Sequence, residues 1–145
     1  MKKILSICAV ALLFSCSSKL KGIQNFDPNQ RMPQIKNERL YLKEMATLDV
    51  YGYSENYPIN LGPIPEKLED TYTTYFLNGI TSKTGQPITF EKQGSCCPYE
   101  TKNNKMGVGM LTKYKVINDG KEVYLYFNAY DRGPIVCPVN FTIKP

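Results

Sequence analysis

The sequence predicts an α+β domain, an antiparallel sheet of about five strands with one main helix packed on one face. Three observations carry that prediction. Apolar residues fall at helical spacing at Leu68, Tyr72, Tyr75 and Phe76. Apolar and polar residues alternate along 110–117 and 122–130. The turn Asn118-Asp119-Gly120 joins those two stretches as a hairpin.

Taken in order, Leu40-Tyr41-Leu42 opens a first strand and Ile59-Asn60-Leu61 a second, with a turn-rich connection over Tyr51 to Pro58. Gly62-Pro63-Ile64-Pro65 then stops the strand and leads into the helix. Pro65 or Glu66 begins that helix, and Glu66, Glu69 and Asp70 set negative charge against its positive dipole end. Asn78-Gly79 closes it, with Gly79 suited to a left-handed position after the last turn. Gly85-Gln86-Pro87 is a turn, and 88–92 alternates as a strand. Along 122–130, Val123, Leu125, Phe127 and Ala129 make one face; Tyr124, Tyr126, Asn128 and Tyr130 make the other. Val136 to Ile143 is a last short strand, and Pro138 favours an edge position for it.

Composition excludes several chemistries. The 145 residues contain no histidine, so no Ser-His-Asp or Cys-His relay and no HExxH zinc helix can be built. Acid–base work would fall to carboxylates, Lys, Tyr or Cys. The expectation is no catalytic residue, no metal and no cofactor. The formal charge of +5 is spread along the chain, which gives no support for nucleic-acid binding.

The amino terminus has the form of an export signal. Lys2 and Lys3 precede a mostly apolar run from Ile4 to Phe14. A helix of that length, at about 1.5 Å per residue, spans only half of a hydrocarbon core of about 30 Å. The run ends in Leu13-Phe14-Ser15-Cys16, which resembles the lipobox of bacterial lipoproteins, with an aliphatic residue at −3 and a small one at −1. Phe14 departs from the commonest residue at −2. The resemblance implies cleavage before Cys16, its modification by diacylglycerol, and acylation of the new amino group. Several acyl chains give stable membrane anchoring. Loss of residues 1–15 leaves 130 of the 145 residues, and losing Lys2 and Lys3 lowers the charge from +5 to +3.

Residues 16–37 read as the lipidated terminus and a flexible tether, because Lys, Asn, Gln and Pro outnumber apolar side chains. About 20 such residues have a coil-like span of roughly 25 Å. The alternative is an extended arm packed on the domain. Residues 38–145 form the single folded domain.

Cys8 leaves with the signal and Cys16 carries the lipid, so three thiols belong to the fold. In an oxidising compartment the expectation is a bridge from Cys137 to Cys96 or Cys97. An adjacent Cys96–Cys97 bridge, a soft-metal site, a catalytic thiol and reduced packing cysteines remain as alternatives. Met106-Gly107-Val108-Gly109-Met110 lacks the Lys-Ser/Thr ending of a phosphate loop and reads as a bulge or close backbone approach where a strand begins. Asp131-Arg132-Gly133 reads as a turn with a surface ion pair. Asn140-Phe141-Thr142 fits a glycosylation sequon, which the bacterial lipobox discounts.

Tyr124, Tyr126 and Tyr130, with Tyr114 joining from the neighbouring strand, define a candidate binding face for a sugar or a protein partner. A covering loop over that face, or its being the plain outer side of the sheet, is the alternative. From about Tyr51 onward the chain resembles a family of small flavobacterial (Bacteroidetes) envelope lipoproteins. The residues that carry the likeness are Phe76-Leu77-Asn78, Cys96-Cys97-Pro98-Tyr99, the spacing Gly107-x-Gly109, and the tyrosine-rich strand over 123–130. The family's function is unassigned, and some members bear the label 2-dehydro-3-deoxyphosphooctonate aldolase. That enzyme is a TIM barrel of about 250 residues, which this length does not match. The expected function is therefore a lipid-anchored envelope module with a binding or structural role, in the outer membrane and facing the periplasm. An inhibitor or immunity-type protein, or an enzyme, is the alternative.

Overall fold

The structure, a computed structural model, describes residues 20–145. The signal segment 1–15, Cys16 and the start of the tether lie outside the described residues. Among the described residues the fold is α+β, one α-helix and mostly sheet, but the sheet is divided. The strands are β1 (Ile35–Lys36), β2 (Arg39–Leu40), β3 (Ile59–Asn60), β4 (Ile80–Ser82), β5 (Thr89–Glu100), β6 (Val108–Asn118), β7 (Lys121–Asn128) and β8 (Phe141–Ile143). The helix α1 (Glu69–Asn78) follows a 3-10 turn over Glu66–Leu68.

The main sheet has four strands in the order β3-β7-β6-β5, and β3 joins β7 in parallel, so the expected five-stranded antiparallel sheet is not formed. Two of the expected strands pair elsewhere. Asn37 and Glu38 both adopt left-handed backbone, which folds β2 straight back on β1. The strand at the carboxyl end pairs with β4, the segment immediately after the helix.

The β6–β7 hairpin sets the geometry of everything above it. Asp119 and Gly120 both have positive φ, as a two-residue turn of type I′ requires. Asn118 then pairs with Lys121, Val116 with Val123, Tyr114 with Leu125 and Thr112 with Phe127. On the inner face Tyr114, Val116, Leu125 and Phe127 are buried with Ile59. The ring of Phe76 on α1 stands edge-on to Phe127 at 5.5 Å, and Tyr114 does the same at 5.4 Å. Burying side chains of this size contributes about 1.5–3 kcal/mol each. The helix is further fixed by the Thr112 hydroxyl, which donates to Glu69, and by Lys92 paired with Asp70 at 2.7 Å.

Two details of the helix differ from expectation. Its buried centre is Thr73, Phe76 and Leu77, with Tyr72 and Tyr75 only half-buried, because β2 as well as the sheet lies against it. Gly79 is right-handed, with φ of −83°. Glycine is needed there because a Cβ would run into the Leu40 carbonyl.

The expected flexible tether is replaced, from Lys21 on, by a docked arm. Glu100 N–H donates to the Lys21 carbonyl at 3.2 Å, Gln24 N–H to Asn56 and Asp27 N–H to Arg132, both at 2.8 Å. Composition alone misjudges this segment. What holds it is backbone pairing with the end of β5 and the neighbouring loops, which needs few apolar side chains.

Candidate functional site

The outer face of the main sheet has two halves. Near the β6–β7 turn it is open and carries Lys113, Lys115, Tyr124 and Tyr126. The Lys113 ammonium lies 4.3 Å from the Tyr124 ring centre and 5.9 Å from that of Tyr126. At such distances a cation is attracted to the negative ring face by about 0.5–1 kcal/mol at exposed sites. Lys115 bridges Glu91 at 3.3 Å and Glu122 at 3.7 Å, and the Tyr124 hydroxyl donates to Glu122 at 3.2 Å. Tyr124 is 36% exposed and Tyr126 partly so.

Tyr114 does not join them. Paired with Leu125, it projects to the inner face, is 4% exposed, and directs its hydroxyl to Asp70 at 3.3 Å. Burial, reinforced by the Asp70 carboxylate, raises its pKa well above the ordinary phenol value. Tyr130 lies beyond the end of β7, half-buried and edge-on to Tyr99 at 6.5 Å. The expected four-tyrosine face thus reduces to Tyr124 and Tyr126 with Lys113.

The other half of the outer face is covered by the arm and holds a buried polar network. Asn128 is its hub. Its carbonyl oxygen accepts from the Tyr99 hydroxyl and, at 2.9 Å, from Tyr130 N–H. Its amide nitrogen donates to Asn60 Oδ1 at 2.9 Å and Asp131 Oδ2 at 3.1 Å. Asn60 donates onward to Asn25 of the arm at 2.9 Å, and Asn25 to the Pro58 carbonyl at 2.8 Å. Burial is the main cause that raises the pKa of Tyr99, and the nearby Asp131 charge adds to it. Gly109 is the close approach expected at the start of β6: a Cβ there would stand 2.7 Å from the Tyr99 ring.

The Asp131-Arg132 turn is not a surface ion pair. Asp131 is 4% exposed and accepts from Thr101 at 2.8 Å and Asn103 at 2.7 Å, both on Oδ1. Arg132 turns the other way and donates to the carbonyls of Gly62 and Leu61. Asp131, Thr101 and Asn103 floor a cleft of about 410 Å³, walled by Gly22, Ile23 and Phe26 of the arm and by Glu100 and Lys102. No sequence motif marks this cleft.

The expected bridge from Cys137 is not formed. Cys96 is joined to its neighbour Cys97, and Cys137 is a buried free thiol. Cys137 is fixed in the core by pairing with the 44–46 segment, whereas Cys96 and Cys97 stand on β5 at the sheet edge. A register shift between Cys96 and Pro98, with Cys97 at φ of 59°, accommodates the adjacent pair. Burial pushes the Cys137 thiol up to about 12.

Among the described residues no cluster of three metal-ligating side chains occurs, and no helix is long and apolar enough to cross a membrane. Comparison with family models, curated proteins and solved structures found no match.

Proposed function

We propose that this chain is a lipid-anchored envelope module, acylated at Cys16, that binds a protein or glycan partner through Tyr124 and Tyr126. The grouping with small flavobacterial envelope lipoproteins and the outer-membrane, periplasm-facing location belong to the same proposal. The observation that supports it is the platform of two partly exposed tyrosine rings with Lys113 against them. Such a surface combines apolar area, a ring face and fixed hydrogen-bonding tips at little entropic cost, the properties that suit recognition of sugars and proteins.

Two measurements test it. Mass spectrometry of the amino-terminal peptide should show acylation that Cys16→Ala abolishes; an unmodified wild-type terminus overturns the anchor. Crosslinking in intact cells, together with binding to cell-wall glycan fragments in detergent, should yield an adduct or complex that the Tyr124→Ala, Tyr126→Ala double variant loses. Equal yield from the double variant overturns the binding face.

A further inference from the structure

We propose that the cleft between the arm and the 100–103 segment is a binding site for a small primary-ammonium ligand, with Asp131 as its counter-anion. The site is separate from the tyrosine platform and does not depend on the anchor.

The first observation is an unbalanced charge. Asp131 is 4% exposed, yet every donor to it is neutral: the hydroxyl of Thr101 and the amides of Asn103 and Asn128. The ion pairs among the described residues are Lys92–Asp70, Lys115–Glu91 and Lys115–Glu122, and none involves Asp131. Its neighbour Arg132 is committed to two backbone carbonyls on the far side. A carboxylate withdrawn from water without a cation costs several kcal/mol, and a cation supplied by a ligand recovers much of that.

The second observation is unused acceptor capacity. An ionised carboxylate offers about four lone-pair sites. Oδ1 receives two donors and Oδ2 one, from Asn128, while the nearby Tyr99 hydroxyl donates to Asn128, so three bonds occupy the carboxylate and none of them is from a charged N–H. Bonds of that kind are roughly twice as strong as neutral ones.

The third observation is the enclosure. The cleft of about 410 Å³ also has Phe26, Ile23 and Gly22 on its wall and Glu100 on its lining. Phe26 is 49% exposed although it sits on a docked arm, so its ring is available to a ligand. An aromatic ring beside a carboxylate favours an alkylammonium over a bare metal ion, since the ring attracts the cation while the carboxylate takes its N–H. Glu100 adds negative charge. Lys102 also lines the cleft and forms no ion pair with either carboxylate.

The test is an amide NMR titration of the full chain in detergent with ethanolamine, with ethylene glycol as the uncharged counterpart. Ethanolamine, a fragment of four heavy atoms, should bind with a Kd of about 1 mM or weaker. Its shifts should saturate and be confined to Gly22–Phe26, Glu100–Asn103 and Asp131. Ethylene glycol should produce none at equal concentration. Asp131→Asn keeps the side-chain size and should weaken binding by about tenfold or more, the loss of one charge-assisted contact. Phe26→Ala removes an exposed ring outside the polar network, so it should fold normally and weaken binding several-fold. Equal shifts from ethylene glycol, no saturable shift with ethanolamine, or wild-type affinity in Phe26→Ala would overturn the proposal.

Discussion

Replacing Asn128 by leucine removes one side-chain amide and strands partners on three separate segments. The amide uses its full capacity, two acceptor and two donor bonds, on Tyr99, Tyr130, Asn60 and Asp131. Leucine has the same branched heavy-atom skeleton with bulkier ends, so no cavity opens and any packing strain adds to the loss. The Tyr99 hydroxyl and Asn60 Oδ1 are buried and lose these partners, and Tyr130 N–H loses its acceptor at a half-buried position. Each orphaned buried group costs about 1–3 kcal/mol, and the added apolar burial offsets about 1 kcal/mol of the sum. The expected loss is about 3–5 kcal/mol, or roughly 12–20 °C in Tm for a domain of this size. Tryptophan is absent, so far-UV circular dichroism of the full chain in detergent follows the transition. Asn128→Asp is the companion variant: it keeps the acceptors but sets a second carboxylate against Asp131. Its stability should therefore rise as pH falls and that carboxylate becomes protonated. A loss below about 1 kcal/mol for Asn128→Leu would show that the network is not the tie between arm, sheet and turn.

Gly109→Ala should push the Tyr99 ring off its hydroxyl bond and cost about 1–3 kcal/mol, whereas a thermal melt unchanged from wild type would contradict the close approach. Cys137 should resist iodoacetamide in the folded chain while Cys96 and Cys97 are labelled after reduction; prompt native labelling of Cys137 in a peptide map would refute its burial. Alkaline stability follows from groups whose folded pKa is raised. Burial lifts Cys137 from 9.0, and burial with the neighbouring Cys137 lifts Tyr53 from 10.0, each to about 12. The unfolded chain ionises these groups first. Their stabilisation is therefore intact below about pH 9 and is lost progressively between pH 9 and 12. A melting temperature that holds constant across that window would contradict the shifts.

Residues 108–128 were the legible part of the fold, because the turn chemistry at Asp119-Gly120 and the period-2 alternation agree there. Carried one step further, the same turn places Tyr114 opposite Leu125 and so on the inner face, away from Tyr124 and Tyr126. The low apolar content of the arm gives it the composition of a tether, and backbone pairing to other segments leaves no periodic mark. Strand β5 was legible only over its first residues. The alternation lapses after Lys92, but bulges at Gly94 and at Cys97 let pairing continue to Glu100. The cleft was invisible for a different reason. Its floor and wall join three distant segments, and only the folded chain brings Asn103 and Asp131 within 2.7 Å.

The docking of the arm at Lys21 also bears on where this domain can search. Only four residues lie between it and Cys16, five chain steps with a reach of at most about 18 Å when fully extended. With Cys16 acylated as proposed, the domain would patrol a thin layer above the lipid rather than the depth of a compartment. Its encounters would then be set by what diffuses along that surface or comes down to it. A partner fixed farther away would have to bring its own reach.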